Sequence, residues 1–211
     1  MTLQLIELLT VLVQRPNVQE VVKQGIMPLL STVSGYMILE HSDTREFQGD
    51  QHFFLHDKTQ SLFKRRNIKN QCMDLFSSLI EVFGDEAVMH IVRIIKDLVS
   101  NRQKPEETKE GTLEAGYFSK NEQHPFKRMD VGLLLLGLFI EDIQMFSIRH
   151  PDVNLPELLS LIINLDFSNS GRLGPYLKGR SLWCYITCSE MLFMPTEHNA
   201  RLKKQIVENA I

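Results

Sequence analysis

The most constraining feature of this sequence is a helical period punctuated by proline and glycine. Val18, Val21, Val22, Gly25, Ile26, Leu29, Leu30 and Val33 fall at i, i+3, i+4, i+7, i+8, i+11, i+12 and i+15. That spacing lays one wide apolar face along a helix of 3.6 residues per turn. The same period returns through Ile68, Cys72, Leu75, Phe76, Leu79, Ile80 and Phe83, and again through Val88, Ile91, Val92, Ile95, Leu98 and Val99. No segment carries a convincing strand alternation, so the expected class is all-α.

The breakers divide the chain into about eight helices. Residues 2–14 are apolar nearly all round, with only Gln4, Glu7 and Gln14 in a narrow polar stripe, and such a helix needs neighbours on most sides. Arg15-Pro16-Asn17 ends it, and Asn17 is placed to cap the next helix. Pro28 lies inside the pattern of 17–39, which predicts a kink or break there. Gly84 separates 60–83 from 85–101, with Asp85 placed as the second cap. A long helix is expected over 125–147 and a short one over 154–166. Pro175 suits the first position of a helix reaching 194, and Thr196 is placed to cap a last one to 211.

Paired by short turns, these helices make four hairpins, at about 2–39, 60–101, 125–166 and 175–211, with connections at 40–59 and 102–122. Successive hairpins with inward apolar faces describe a single HEAT- or armadillo-type α-solenoid. The pair starts lie 58, 65 and 50 residues apart. HEAT-type repeats run about 40–47 residues, so this array needs insertions, and an irregular helical bundle is the competing architecture.

Composition narrows the function classes. Hydrophobic residues make up 43% of 211, enough for a sizeable core. The formal net charge of −3 argues against generic nucleic-acid binding, which needs a strongly basic face. Cys72, Cys184 and Cys188 are an odd set without framework spacing, as expected of reduced thiols in the cytoplasm or nucleus. The longest uncharged apolar run, residues 131–140, is half of the roughly 20 residues a membrane helix needs, so a soluble chain without membrane insertion is expected. The first helix lacks the basic region and small-residue cleavage site of a signal peptide. So apolar a helix at the very start fits a section of a longer protein.

One residue stands out against this apolar pattern. In PYLKGRSLWCYITCSEMLF, residues 175–193, Arg180 stands three residues before Trp183, the only tryptophan. A buried cation is costly unless paired. Its long stem can cover apolar surface, and its head is expected to pair with Asp166 or to cap carbonyls of the preceding repeat.

The C-terminal half resembles the importin-β (karyopherin) superfamily, most closely its large members that carry core histones and ribosomal proteins. HPFKRMDVGLLLLGLFIEDI (124–143) is similar to their "W-x-x-R/H-E-A-x-L-x-A-L-G-S-V" helix. In LPELLSLIINLDFSNSGRLGPYLKGRSLWCYITCSEML (155–192), Asp166, Pro175, Leu177, Gly179, Arg180, Ser181, Leu182 and Trp183 follow their order of a "D-L" element, a proline and "L-x-G-R-A-L-W". Residues 29–60 resemble their "W-x-x-D-P-x-x-F-x-x-x-E" connector, and 63–97 their "R-x-x-A-x-D-L-L" helical pair. The likeness covers about 30–195. It departs at Phe126, where a tryptophan is expected, and before FKRR (63–66), where an acidic run is nearly absent. The family's N-terminal repeats, the chief grip on Ran-GTP, are missing, as in a middle section or a truncated relative.

The remaining candidates have plainer readings beside their sharp ones. His52 and His56 have the i, i+4 spacing of zinc ligands, but no H-E-x-x-H glutamate accompanies them, and an exposed turn is the favoured reading. Cys184 and Cys188 share that spacing without further ligands nearby, and with Cys72 they read as small apolar residues. Lys58, Lys69 and KRR (64–66) offer positive charge to a phosphate or acidic partner, although a solvated helix start explains them as well. The PEETKE run (105–110) reads as a solvated loop, with cargo contact as the sharper alternative. No phosphate loop, G-x-S-x-G or H-R-D pattern is present, so no enzyme, catalytic residue, metal site or cofactor is expected.

The resemblance implies a nuclear transport receptor working between cytoplasm and nucleus through the nuclear pore. It would hold a protein cargo, basic like histones or ribosomal proteins, in a concave face. Ran-GTP would release that cargo, and Phe-Gly nucleoporins would dock in shallow grooves between outer helices. Asp166, Pro175, Gly179, Arg180 and Trp183 would form the structural motif at one joint of the stack. The competing expectations are a HEAT-repeat scaffold without Ran response and, more remotely, a small helical enzyme or metal protein.

Overall fold

A computed structural model describes residues 2–38, 68–100, 125–163, 165, 174–188 and 204. The described elements are all helical: α1 (Thr2–Val13), α2 (Pro16–Gln24), α3 (Ile26–Gly35), α4 (Ile68–Phe83), α5 (Asp85–Ser100), α6 (Pro125–Leu138), α7 (Ile140–Arg149), α8 (Leu155–Ile163) and α9 (Gly174–Thr187). The expected connections 40–59 and 102–122, the start of the helix over 60–83, and the final helix with its Thr196 cap lie outside the described residues.

Helix α5 is the centre of the packing. Ala87, Val88, Ile91, Val92, Ile94, Ile95, Leu98 and Val99 are all buried. They form a stripe wide enough to meet α3, α4, α6, α7 and α8. Full burial of Ile91 or Ile95 contributes about 1.5–3 kcal/mol each. In α4, Cys72, Leu75, Phe76 and Leu79 carry the inner face, with Ile68, Ile80 and Phe83 at its margin.

The packing follows chain order. Helix α1 lies on α2 and α4, and α3 lies on α4 and α5. Helix α4 pairs with α5, which meets α6, α7 and α8. Helix α6 in turn carries α9. Among the described helices, no substantial contact joins α1–α3 to α6–α9, or α4–α5 to α9.

Three helix ends differ from the sequence reading. The apolar pattern over 17–39 breaks at Gly25, not at Pro28. Proline lacks an N–H and its ring crowds the carbonyl four residues back, so the helix must end before that carbonyl is used. Pro28 therefore sits in the first turn of α3, and the break leaves Val21 70% exposed, off the buried face of Ile26, Leu30 and Val33. Asn17 is inside α2, whose N-cap is Arg15 without a side-chain cap, because Pro16 already takes the first helical position. The single long helix expected over 125–147 is two helices, bent by 72° around Phe139. Phe139 is buried and its ring stacks on Phe76 with centroids 6.0 Å apart, which places the bend over α4.

Gly84 makes the turn between α4 and α5 at φ 53°, a left-handed conformation that disfavours any side chain. Its N–H closes α4 on the Ile80 carbonyl at 2.8 Å. Among the described residues no single helix is long and apolar enough to cross a membrane. Helices α6 and α7 together have that length and composition, but they are bent, and Val131, Leu133, Leu135 and Leu136 of α6 are buried inside the fold.

Candidate functional site

The sequence GPYLKGRSLWCYIT forms α9 with Pro175 as its second residue, where the missing N–H costs no helical bond. Tyr176, Arg180, Trp183 and Cys184 then follow at i, i+4, i+7 and i+8, so they share one face. All four are buried, whereas Lys178 and Ile186 face outward. That inner face lies on α6.

Arg180 is 2% exposed and is held by Asp130 of α6, itself 0% exposed. Its Nε donates to Asp130 Oδ1 at 2.9 Å. Its Nη2 donates to the Tyr176 hydroxyl, which in turn donates to Asp130 Oδ2 at 3.4 Å. The guanidinium lies 5.3 Å from the Tyr176 ring centroid and 5.5 Å from that of Trp183, within cation–π range. Burial works against the charge on Arg180, but Asp130 and Tyr176 outweigh it and hold the guanidinium protonated even more firmly than usual.

The rest of this joint is close packing. A Cβ on Gly137 would stand 2.4 Å from Trp183 Cζ3, so only glycine lets the indole lie on α6. One turn and a half earlier, a Cβ on Gly132 would meet Val99 Cγ2 at 3.0 Å and Leu98 Cβ at 3.1 Å on α5. Cys184 Sγ donates to the Leu133 carbonyl at 3.0 Å. Helix α6 thus seats α5 through one glycine and α9 through another.

A second cluster joins the start of α5 to the end of α7. Asp85 accepts from Arg149 Nε at 3.1 Å and also from Arg149 Nη2. His150 Nε2 lies 3.0 Å from Asp85 Oδ2, and its ring stacks on Phe146 with centroids 4.3 Å apart. Hydrogen bonds from Arg149 and then His150 pull the Asp85 carboxyl down to about 2. The cap role expected of Asp85 is therefore taken over by a tertiary one. Nearby, Lys23 of α2 reaches Glu86 of α5 at 3.2 Å. Asp85, Glu86 and His150 line an open groove along α5 together with Met89, Arg93, Lys96, Asp152 and Val153. The charged residues of this lining are of both signs.

Of the motif residues read from sequence, Pro175, Gly179, Arg180 and Trp183 are in α9, and Asp166 lies outside the described residues. Asp130 holds Arg180 as a partner that sequence reasoning missed. The available signal was a lone aspartate between Met129 and Val131, at the head of the apolar run of its helix and opposite in sign to Arg180. Gly179 is not required by space, since nothing stands within 4 Å of a Cβ placed there. Cys72, Cys184 and Cys188 are buried free thiols. Burial pushes Cys72 and Cys188 up to about 12 and Cys184 upward as well. His52, His56, Lys58, KRR (64–66) and the 105–110 run lie outside the described residues. Among the described residues no three His, Cys, Asp or Glu side chains are grouped as metal ligands.

Comparison with known family models, curated proteins and solved structures finds no match to this chain.

Proposed function

We propose that this chain is a section of a HEAT-type helical array that works by binding protein partners, as an importin-β-like nuclear transport receptor. The observation that carries the array is the chain-ordered packing. Among the described helices the main contacts run from α1–α3 to α4–α5, from α5 to α6–α8, and from α6 to α9, an order that a quasi-one-dimensional array would have. The polar cross-links obey the same order, with Lys23–Glu86, Asp85–Arg149 and Asp130–Arg180 each joining successive groups. The transport role rests on the resemblance over residues 30–195. Cargo of basic character, histones or ribosomal proteins, would be held across the array and released by Ran-GTP, and Phe-Gly nucleoporins would carry the complex through the pore between cytoplasm and nucleus.

A scaffold without Ran response is the second reading. The mixed charge lining the α5 groove and the near absence of an acidic run before FKRR favour it, since neither offers a concentrated negative face to a basic cargo.

The test is retention of a purified core histone dimer by this chain near physiological salt, after a folding check by circular dichroism. Transport cargo binding predicts a stoichiometric complex. A folded chain that retains no histone removes this cargo class and leaves the scaffold.

A further inference from the structure

We draw no further inference here: the strongest candidate, the exposed aliphatic row of Leu5, Leu8 and Val11 along α1, is an unpartnered helix face, and nothing in the structure shows what covers it.

Discussion

Arg180 of α9 and Asp130 of α6 form an ion pair 2.9 Å long with both side chains almost wholly withdrawn from water. Removing one member of such a buried pair costs about 3–5 kcal/mol. Replacing both charges by apolar groups of similar volume is often neutral. Urea unfolding should therefore show a loss of that size for Asp130→Ala. The double substitution Asp130→Leu with Arg180→Met should recover most of it. A single-substitution loss below about 1 kcal/mol would mean that water reaches the pair, at odds with its burial.

The Tyr176 hydroxyl bridges the same pair. Hydrogen bonds to charged groups contribute about 1.5–3 kcal/mol. Tyr176→Phe should cost that much in urea unfolding in the native chain. In the Asp130→Leu, Arg180→Met background the cost should shrink, because the charges the hydroxyl serves are gone.

Two glycines of α6 give opposing expectations from propensity and from packing. Alanine is favoured over glycine in a helix by about 1 kcal/mol. At Gly137 the added methyl meets the Trp183 ring at 2.4 Å, and overpacking costs about 1–3 kcal/mol. Gly137→Ala should therefore lower the melting temperature. Gly132→Ala, whose nearest neighbours stand at 3.0 and 3.1 Å, should be the milder change. The reverse order would contradict the described seat of the indole.

Asp85 gives a pH signature. Its carboxyl falls from an ordinary 3.8 to about 2 in the folded chain, through Arg149 first and His150 second. A depressed acid stabilises the fold above its unfolded pKa, and that contribution fades as pH falls from about 4 toward 2. Thermal melts across that window should show a smaller acid loss for Asp85→Asn than for the native chain. Because the cluster is exposed, added salt should narrow the difference.

The cysteines test the core. Thiolate is the reactive form, and burial holds all three thiols well above the ordinary range. A thiol reagent at pH 8 should find almost no reactive cysteine in the native chain and three in denaturant. Rapid native labelling of Cys72 would contradict the packing of α4 against α5.

The periodic residues disclosed the helices because burial selects one face, and the inner faces of α4 and α5 follow the spacing that Cys72, Phe76, Ile91 and Ile95 set. Breaks were less legible. Pro28 announced an interruption, but the steric conflict of a proline falls on the preceding turn, so the chain yields at Gly25. The bend at Phe139 carries no proline; it stands where Phe139 stacks on Phe76, a tertiary contact that no local pattern encodes. The need for a partner at Arg180 was plain from charge in an apolar helix. Asp130 as a partner was not, because it stands 50 residues away and only the α6–α9 crossing brings the two together. The Asp85–Arg149–His150 cluster was hidden for the same reason, behind a local capping role that Asp85 fits equally well in sequence.

The transport account is tested most directly by titrating Ran-GTP into the complex of this chain with a core histone dimer near physiological salt. If Ran-GTP and cargo oppose one another, each must weaken the other by the same factor. The account predicts that Ran-GTP releases the histone dimer and that Ran-GDP leaves it bound. A dimer that stays on the folded chain at saturating Ran-GTP would contradict it.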